Sequence, residues 1–96
     1  MPVMHFEVEW PDGTSEECYS PSSVITQYLI SGATYSLEAF VALSETALIA
    51  ASERVREKYG FSCSSAMDQL NKIHCKASDF KDENDAKILI KRIFQP

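Results

Sequence analysis

VMHFEVEW at residues 3–10, followed by PDG at 11–13, is the most informative stretch of the chain. Apolar side chains occupy every second position of VMHFEVEW, which is the pattern of a β-strand with one buried face. PDG is typical of a type I turn with glycine in the left-handed conformation, and such a turn closes a hairpin with a bulge. With Trp10 facing Thr14 across the turn, the returning strand places Cys18 on the core face.

The segment after the hairpin predicts two helices. Ser20 and Pro21 have the residue types of an N-cap and a first helical position, and this short helix is expected to end near Gly32. Ser36 is the expected N-cap of a long helix, whose apolar positions recur with a period near 3.6 as far as about Lys58.

The last third of the chain predicts one more helix and a strand. Gly60 ends the long helix, and Ser65 with Asp68 forms a capping-box-like pair at the start of a third one. KILIKRIF at 87–94 alternates as a strand does, with one side formed by Ile88, Ile90 and Phe94. The expected fold is therefore a single α+β domain over residues 1–96. It has an N-terminal β-hairpin, three helices and a C-terminal strand, which form a small antiparallel sheet with helices on one face.

Composition excludes several classes of protein. The 96 residues are 45% apolar, which is ordinary for a globular domain, and the longest apolar run is too short to span a bilayer. The net charge of −5 argues against nucleic acid or an anionic membrane surface as a partner. Three cysteines without a Cys-x-x-Cys spacing or an export signal predict a reducing cytoplasm, and we expect neither a metal nor a cofactor.

Charge is unevenly distributed along the chain. The first 53 residues contain eight acidic side chains and no Lys or Arg, so all nine basic side chains come later. In the predicted hairpin Glu7 lies opposite Glu17, and such like-charge pairs destabilise a sheet unless a cation joins them. Placing the last strand beside the first would bring Lys87 and Lys91 to these carboxylates. Head-to-tail pairing with a second copy is the alternative.

Residues 62–65, SCSS, are the candidate reactive segment. Cys63 is expected just before a helix N-terminus, where unpaired amides stabilise a thiolate, so it is the candidate catalytic nucleophile. The alternative is a small side chain packed in the core. The hydroxyls of Ser62, Ser64 and Ser65 could bind an anion at the helix start or could simply cap the helix.

Three stretches together carry a family resemblance: MHFEVEWPDG at 4–13, CYSPSSVI at 18–25 and SERVREKYGFSCSSAMDQL at 52–70. They resemble the small nitrogen-starvation-response proteins that bacteria encode in gene clusters with a nitrilase. The resemblance implies a role during nitrogen limitation, within a cluster connected to the use of nitrile or cyanide nitrogen. It supplies no reaction. Of the shared residues, Cys63 and Gln69 are explained least by turn and cap chemistry, so Gln69 joins the serines as a candidate binding residue.

Two functions are compatible with these features. The first is a non-catalytic accessory protein that binds an enzyme of its nitrogen-assimilation cluster or a second copy of itself. Its docking surface would be the outer face of the sheet or the alanine-rich face of the long helix, which carries Ala39, Ala42 and Ala50. The second is a thiol-dependent enzyme or small-molecule sensor that uses Cys63. The absence of a recognisable catalytic constellation favours the first.

Overall fold

The computed structural model describes residues 3–61, 64–83 and 85–95. Within these ranges the chain forms one four-stranded antiparallel sheet, two α-helices and a short 3₁₀ segment. The strands are β1 (Met4–Glu9), β2 (Ser15–Ser20), β3 (Thr34–Ser36) and β4 (Lys87–Phe94). The helices are α1 (Leu37–Tyr59) and α2 (Ser64–Ser78), and the 3₁₀ segment is Ser23–Gln27. The strand order is β2-β1-β4-β3.

The N-terminal hairpin has the predicted register. Trp10 N donates to Thr14 O at 2.8 Å, and Gly13 closes the turn with a φ of 87°. Phe6 therefore pairs with Cys18, and both side chains are almost fully buried. The predicted strand, turn and core face of the hairpin are confirmed.

The last strand lies beside the first, also as predicted, but its alternation is interrupted. Val8 pairs with Ile90 and Glu7 with Arg92, so Lys91 is an extra residue in β4. A bulge of this kind moves every later side chain to the opposite face. The prediction that Phe94 shares a face with Ile90 is therefore wrong, because Phe94 pairs with His5 on the outer face.

The prediction of three helices is wrong, because the first of them is only the 3₁₀ segment Ser23–Gln27. Its N-cap is Ser22, whose Oγ accepts a hydrogen bond from Val24 N at 3.3 Å. Three consecutive β-branched residues, Val24, Ile25 and Thr26, disfavour an α-helix, and the segment is too short to compensate through propagation. Burial of Val24 and Ile25 holds it against the core.

The sheet has four strands because a short one follows this segment. Thr34–Ser36 pairs with β4, and the pairing is extended by hydrogen bonds from Gly32 N to Ile90 O and from Ile90 N to Ala33 O. Three residues are too few for an alternating pattern to be visible in the sequence. Ser36 also caps α1 as predicted, since its Oγ accepts from Ala39 N at 3.1 Å.

The two helices pack on one face of the sheet and enclose the core. Gly60 ends α1 in the left-handed conformation, with a φ of 83°, as predicted. Inward side chains from both helices meet the even-numbered side chains of β1. This core includes Phe6, Val8, Trp10, Phe40, Leu48, Ile73, Ile88 and Ile90. The α+β class and the placement of helices on one face agree with the prediction.

Candidate interaction surfaces

The outer face of the sheet is the surface that the helices leave uncovered in the described part of the chain. Because successive side chains of a strand alternate, the odd-numbered residues of β1 and β2 point away from the core. The bulge at Lys91 adds Arg92 and Phe94 of β4 to this face. Its side chains are half-buried or exposed: 28% of the His5 side chain is accessible, and 61% of Arg92.

A row of charged side chains crosses the outer face from β2 to β4. Glu17, Glu7 and Arg92 are direct neighbours across three strands. Arg92 Nε donates to Glu7 Oε1 at 3.0 Å, and Lys91 Nζ lies 4.0 Å from Glu7 Oε2. The expected neutralisation of the hairpin by the last strand is thus confirmed at Lys91 and wrong at Lys87, which pairs with Ser36 on the far side of the sheet.

Aromatic side chains form the second part of the outer face. The His5 ring packs edge-on against Tyr19, with centroids 6.1 Å apart, and against Phe94 at 5.7 Å. The Arg92 guanidinium carbon lies 4.2 Å from the Phe94 ring centroid, which is a cation–π contact. Aromatic residues and arginine are enriched at protein interfaces. We refer to His5, Tyr19, Arg92 and Phe94 as the aromatic cluster.

A groove separates the outer edge of β2 from α2. At one end, Gln69 Oε1 accepts a hydrogen bond from Tyr19 N at 3.0 Å; at the other, Lys76 Nζ lies 3.7 Å from Asp12 Oδ2. The volume of the groove is about 730 Å³. Its strand wall is formed by Glu16 and Glu17, and its helix wall includes Asn71, Lys72 and Cys75. We refer to this feature as the edge groove.

Comparison with protein families accounts for nearly the whole chain. A family described as the nitrogen starvation-induced protein NitG matches residues 5–93. The chain belongs to the NitG family. No curated protein and no solved structure matches it. The family description confirms the link to nitrogen starvation and names no reaction, substrate or partner.

In this NitG-family chain the structure describes three of the predicted site residues, Ser64, Ser65 and Gln69. Ser62 and Cys63 are outside the described residues, so the nucleophile stays a prediction. Ser64 and Ser65 are exposed in the first turn of α2. Gln69, one turn later, is buried and directed at β2, where its amide has a structural partner.

The thiols of Cys18 and Cys75 differ in their exposure to solvent. Cys18 is buried, as predicted, and its Sγ donates to Glu16 Oε2 at 3.8 Å. Burial, together with the nearby Glu16 carboxylate, raises the pKa of the Cys18 thiol far above its usual range, so this thiol stays protonated. Cys75 is exposed in the edge groove. Sequence reasoning missed this placement because α2 meets β2 only in the folded chain.

The described residues contain no group of three or more His, Cys, Asp or Glu side chains arranged to hold a metal ion. Neither described helix combines the length and the apolar character needed to cross a membrane.

Proposed function

We propose that this NitG-family protein is a non-catalytic accessory protein that binds a nitrogen-assimilation enzyme encoded in the same nitrilase-containing gene cluster. The observation that carries the proposal is the aromatic cluster on the uncovered face of the sheet. It joins partly exposed rings to an arginine that stacks on one of them, and these groups gain the most free energy when a partner removes water from them.

The pairing of the charged groups supports docking over acid–base chemistry. Glu7 already contacts two cations, and His5 Nδ1 lies 3.2 Å from Glu17 Oε1 while its ring is held between Tyr19 and Phe94. These side chains contact one another on an open surface. General acid–base catalysis instead needs a group within hydrogen-bond reach of a bound substrate.

The test is capture from nitrogen-starved cells with matched variants of the full chain. The wild type is compared with Phe94→Ser, which truncates the aromatic cluster, and with Ile49→Ser, which removes an exposed apolar side chain from α1. Each variant is first shown by circular dichroism to melt cooperatively. An enzyme that is retained by the wild type and Ile49→Ser, and lost by Phe94→Ser, is then purified and titrated against the same three proteins.

The expected result is that Phe94→Ser weakens the purified complex at least tenfold, because truncation of a hot-spot side chain costs about 2 kcal/mol or more and a tenfold change in affinity corresponds to about 1.4 kcal/mol. Cys63→Ser should bind normally, since the thiol has no part in docking. Equal binding by wild type and Phe94→Ser contradicts the proposal. The proposal is also contradicted if sedimentation shows a homodimer that Phe94→Ser alone disrupts. The outer face would then be covered by a second copy of the chain.

A further inference from the structure

The outer edge of β2 presents backbone hydrogen-bonding groups to the edge groove. β2 is at the end of the strand order, so β1 is its only neighbour in the described sheet. Thr14 O accepts from Trp10 N, whereas Tyr19 N points the other way, to Gln69. Since N–H and C=O directions alternate along an antiparallel strand, Ser15 and Glu17 turn both groups outward, away from β1.

The edge groove is delimited at both ends, which leaves space for a short segment only. The side chain of Gln69 occupies the edge at Tyr19, and the Lys76–Asp12 pair lies beside the hairpin turn. Between them are the outward groups of Ser15 and Glu17, with α2 alongside. An added strand would therefore pair with about three to five residues, which is at the short end of the strand lengths found in globular proteins.

The charge of Glu17 favours a basic side chain on the strand side of the groove, whereas Lys72 and Lys76 line the side formed by α2. The charged row on the outer face consists of Glu17, Glu7 and Arg92. The two ion-pair partners of Glu7, Lys91 and Arg92, are both on β4. Glu17 is 55% exposed at the end of this row, and its ion-pair partner among the described residues is His5, which is charged only when protonated. A basic side chain directly opposite Glu17 on a fifth strand would complete the alternation of charge.

We propose that the edge groove binds an extended segment of a partner protein as a fifth, antiparallel strand beside β2, with a Lys or Arg side chain opposite Glu17. This inference rests on the proposed function, because it assigns a second contact to the partner, but it concerns a different surface from the aromatic cluster. A second copy of this chain is a poorer occupant. Pairing β2 with itself about either Glu16 or Glu17 would set that carboxylate opposite the same carboxylate of the other copy, and such pairs are destabilising.

The probe is the peptide acetyl-Thr-Arg-Thr-Val-Thr-amide, titrated into the ¹⁵N-labelled full chain. Its arginine is placed opposite Glu17 and its valine opposite Ser15. We expect saturable amide shifts in residues 15–17 and 71–79. Replacing the arginine of the peptide by glutamate should weaken binding about fivefold, since a favourable cross-strand charge pair becomes an unfavourable one. N-methylation of the arginine should weaken it by a similar factor, because the hydrogen bond to Glu17 O is lost.

The matched protein variant is Glu17→Lys, a change at an exposed edge position that should leave the fold intact. It is expected to reverse the preference, so that the glutamate peptide binds more tightly than the arginine peptide. The proposal is overturned if the shifts do not saturate, if they fall on the outer face alone, or if Glu17→Lys leaves the preference unchanged. The capture experiment with Phe94→Ser is unaffected by any of these outcomes, so the two proposals fail separately.

Discussion

Replacing Gln69 by leucine tests whether this residue joins two elements of the fold. Its side-chain oxygen accepts the Tyr19 N–H at 3.0 Å, and this hydrogen bond connects α2 to the outer edge of β2 across 50 residues of sequence. Gln69 is only 8% exposed, so leucine, which is close in volume, keeps most of the packing and removes the acceptor. The prediction is a loss of stability with the fold retained.

The magnitude follows from the environment of the donor. A neutral hydrogen bond contributes about 1 kcal/mol net, and a buried donor that loses its acceptor costs up to about 3 kcal/mol. Tyr19 is half-buried at the end of the edge groove, so the lower figure applies. We expect Gln69→Leu to lower the free energy of unfolding by about 1 kcal/mol, or Tm by roughly 5 °C for a domain of this size.

Urea unfolding measures the loss of stability, and amide hydrogen exchange measures the loss of protection at the Tyr19 N–H. Asn71→Leu is the matched control, because it makes the same kind of change on an exposed neighbouring position of α2 and should shift stability by less than about 0.5 kcal/mol. Exchange of the Tyr19 amide should accelerate in Gln69→Leu and not in Asn71→Leu. If both variants are as stable as the wild type and Tyr19 stays protected in both, the hydrogen bond does not connect the helix to the strand.

Three further predictions concern the core, the turn and the thiols. Ser44 is fully buried and its Oγ has no partner in the described chain, so Ser44→Ala should raise the free energy of unfolding by about 1 kcal/mol in urea titrations; a loss of stability would show that the hydroxyl is satisfied. Hydrogen bonds from the Thr14 hydroxyl and amide hold the Asp12 pKa below its usual value, so Thr14→Val should raise it toward 3.8 in a ¹³C carboxyl titration. Because this pKa is lowered by folding, the associated stabilisation is present at neutral pH and is lost as the pH falls through the folded pKa; an unchanged titration in Thr14→Val contradicts the assignment. Cys75 should react with iodoacetamide far faster than Cys18 in native protein, as read by mass spectrometry, and equal rates would show that Cys18 is accessible.

The hairpin could be predicted because its determinants are local. Alternation over residues 3–10 sets the buried face, and the turn at 11–13 sets the register, so Cys18 followed from counting. The caps Ser36 and Gly60 were readable for the same reason, since each acts on its own helix end. Such signals depend on neighbours a few residues away and are visible in any one sequence.

The errors arise where distant packing decides the conformation. The segment Ser23–Gln27 has a cap and apolar side chains, as a helix would. Its backbone conformation depends on its packing against the core, and so does the three-residue strand that follows it. The bulge at Lys91 depends on pairing with a strand about 80 residues earlier, and its consequence is to place Phe94 on the outer face. Without that shift, the aromatic cluster would not exist.

The role of Gln69 could not be predicted from the sequence either, because its hydrogen-bond partner is on a different element. The structure gives it a place in the fold, and this separates it from the serines that the sequence grouped with it. Its hydrogen bond also ends the open part of the β2 edge at Tyr19, so one side chain both attaches α2 and bounds the edge groove.

The uneven distribution of charge along the sequence places acidic and basic side chains next to each other in the sheet, and this row of charges connects the two proposed surfaces. Within the sheet, Arg92 and Lys91 neutralise Glu7, at the centre of the acidic hairpin. Glu17 is paired with Glu7 at the edge where the sheet ends, and among the described residues neither cation forms an ion pair with it. A partner that covers the aromatic cluster also faces this row of charges, because both lie on the outer face, and the favourable place for its own basic side chain is beside Glu17. Reversing the charge of Glu17 should therefore alter the choice of partner segment more than it alters the stability of the fold, because the carboxylate is exposed and contributes little to folding.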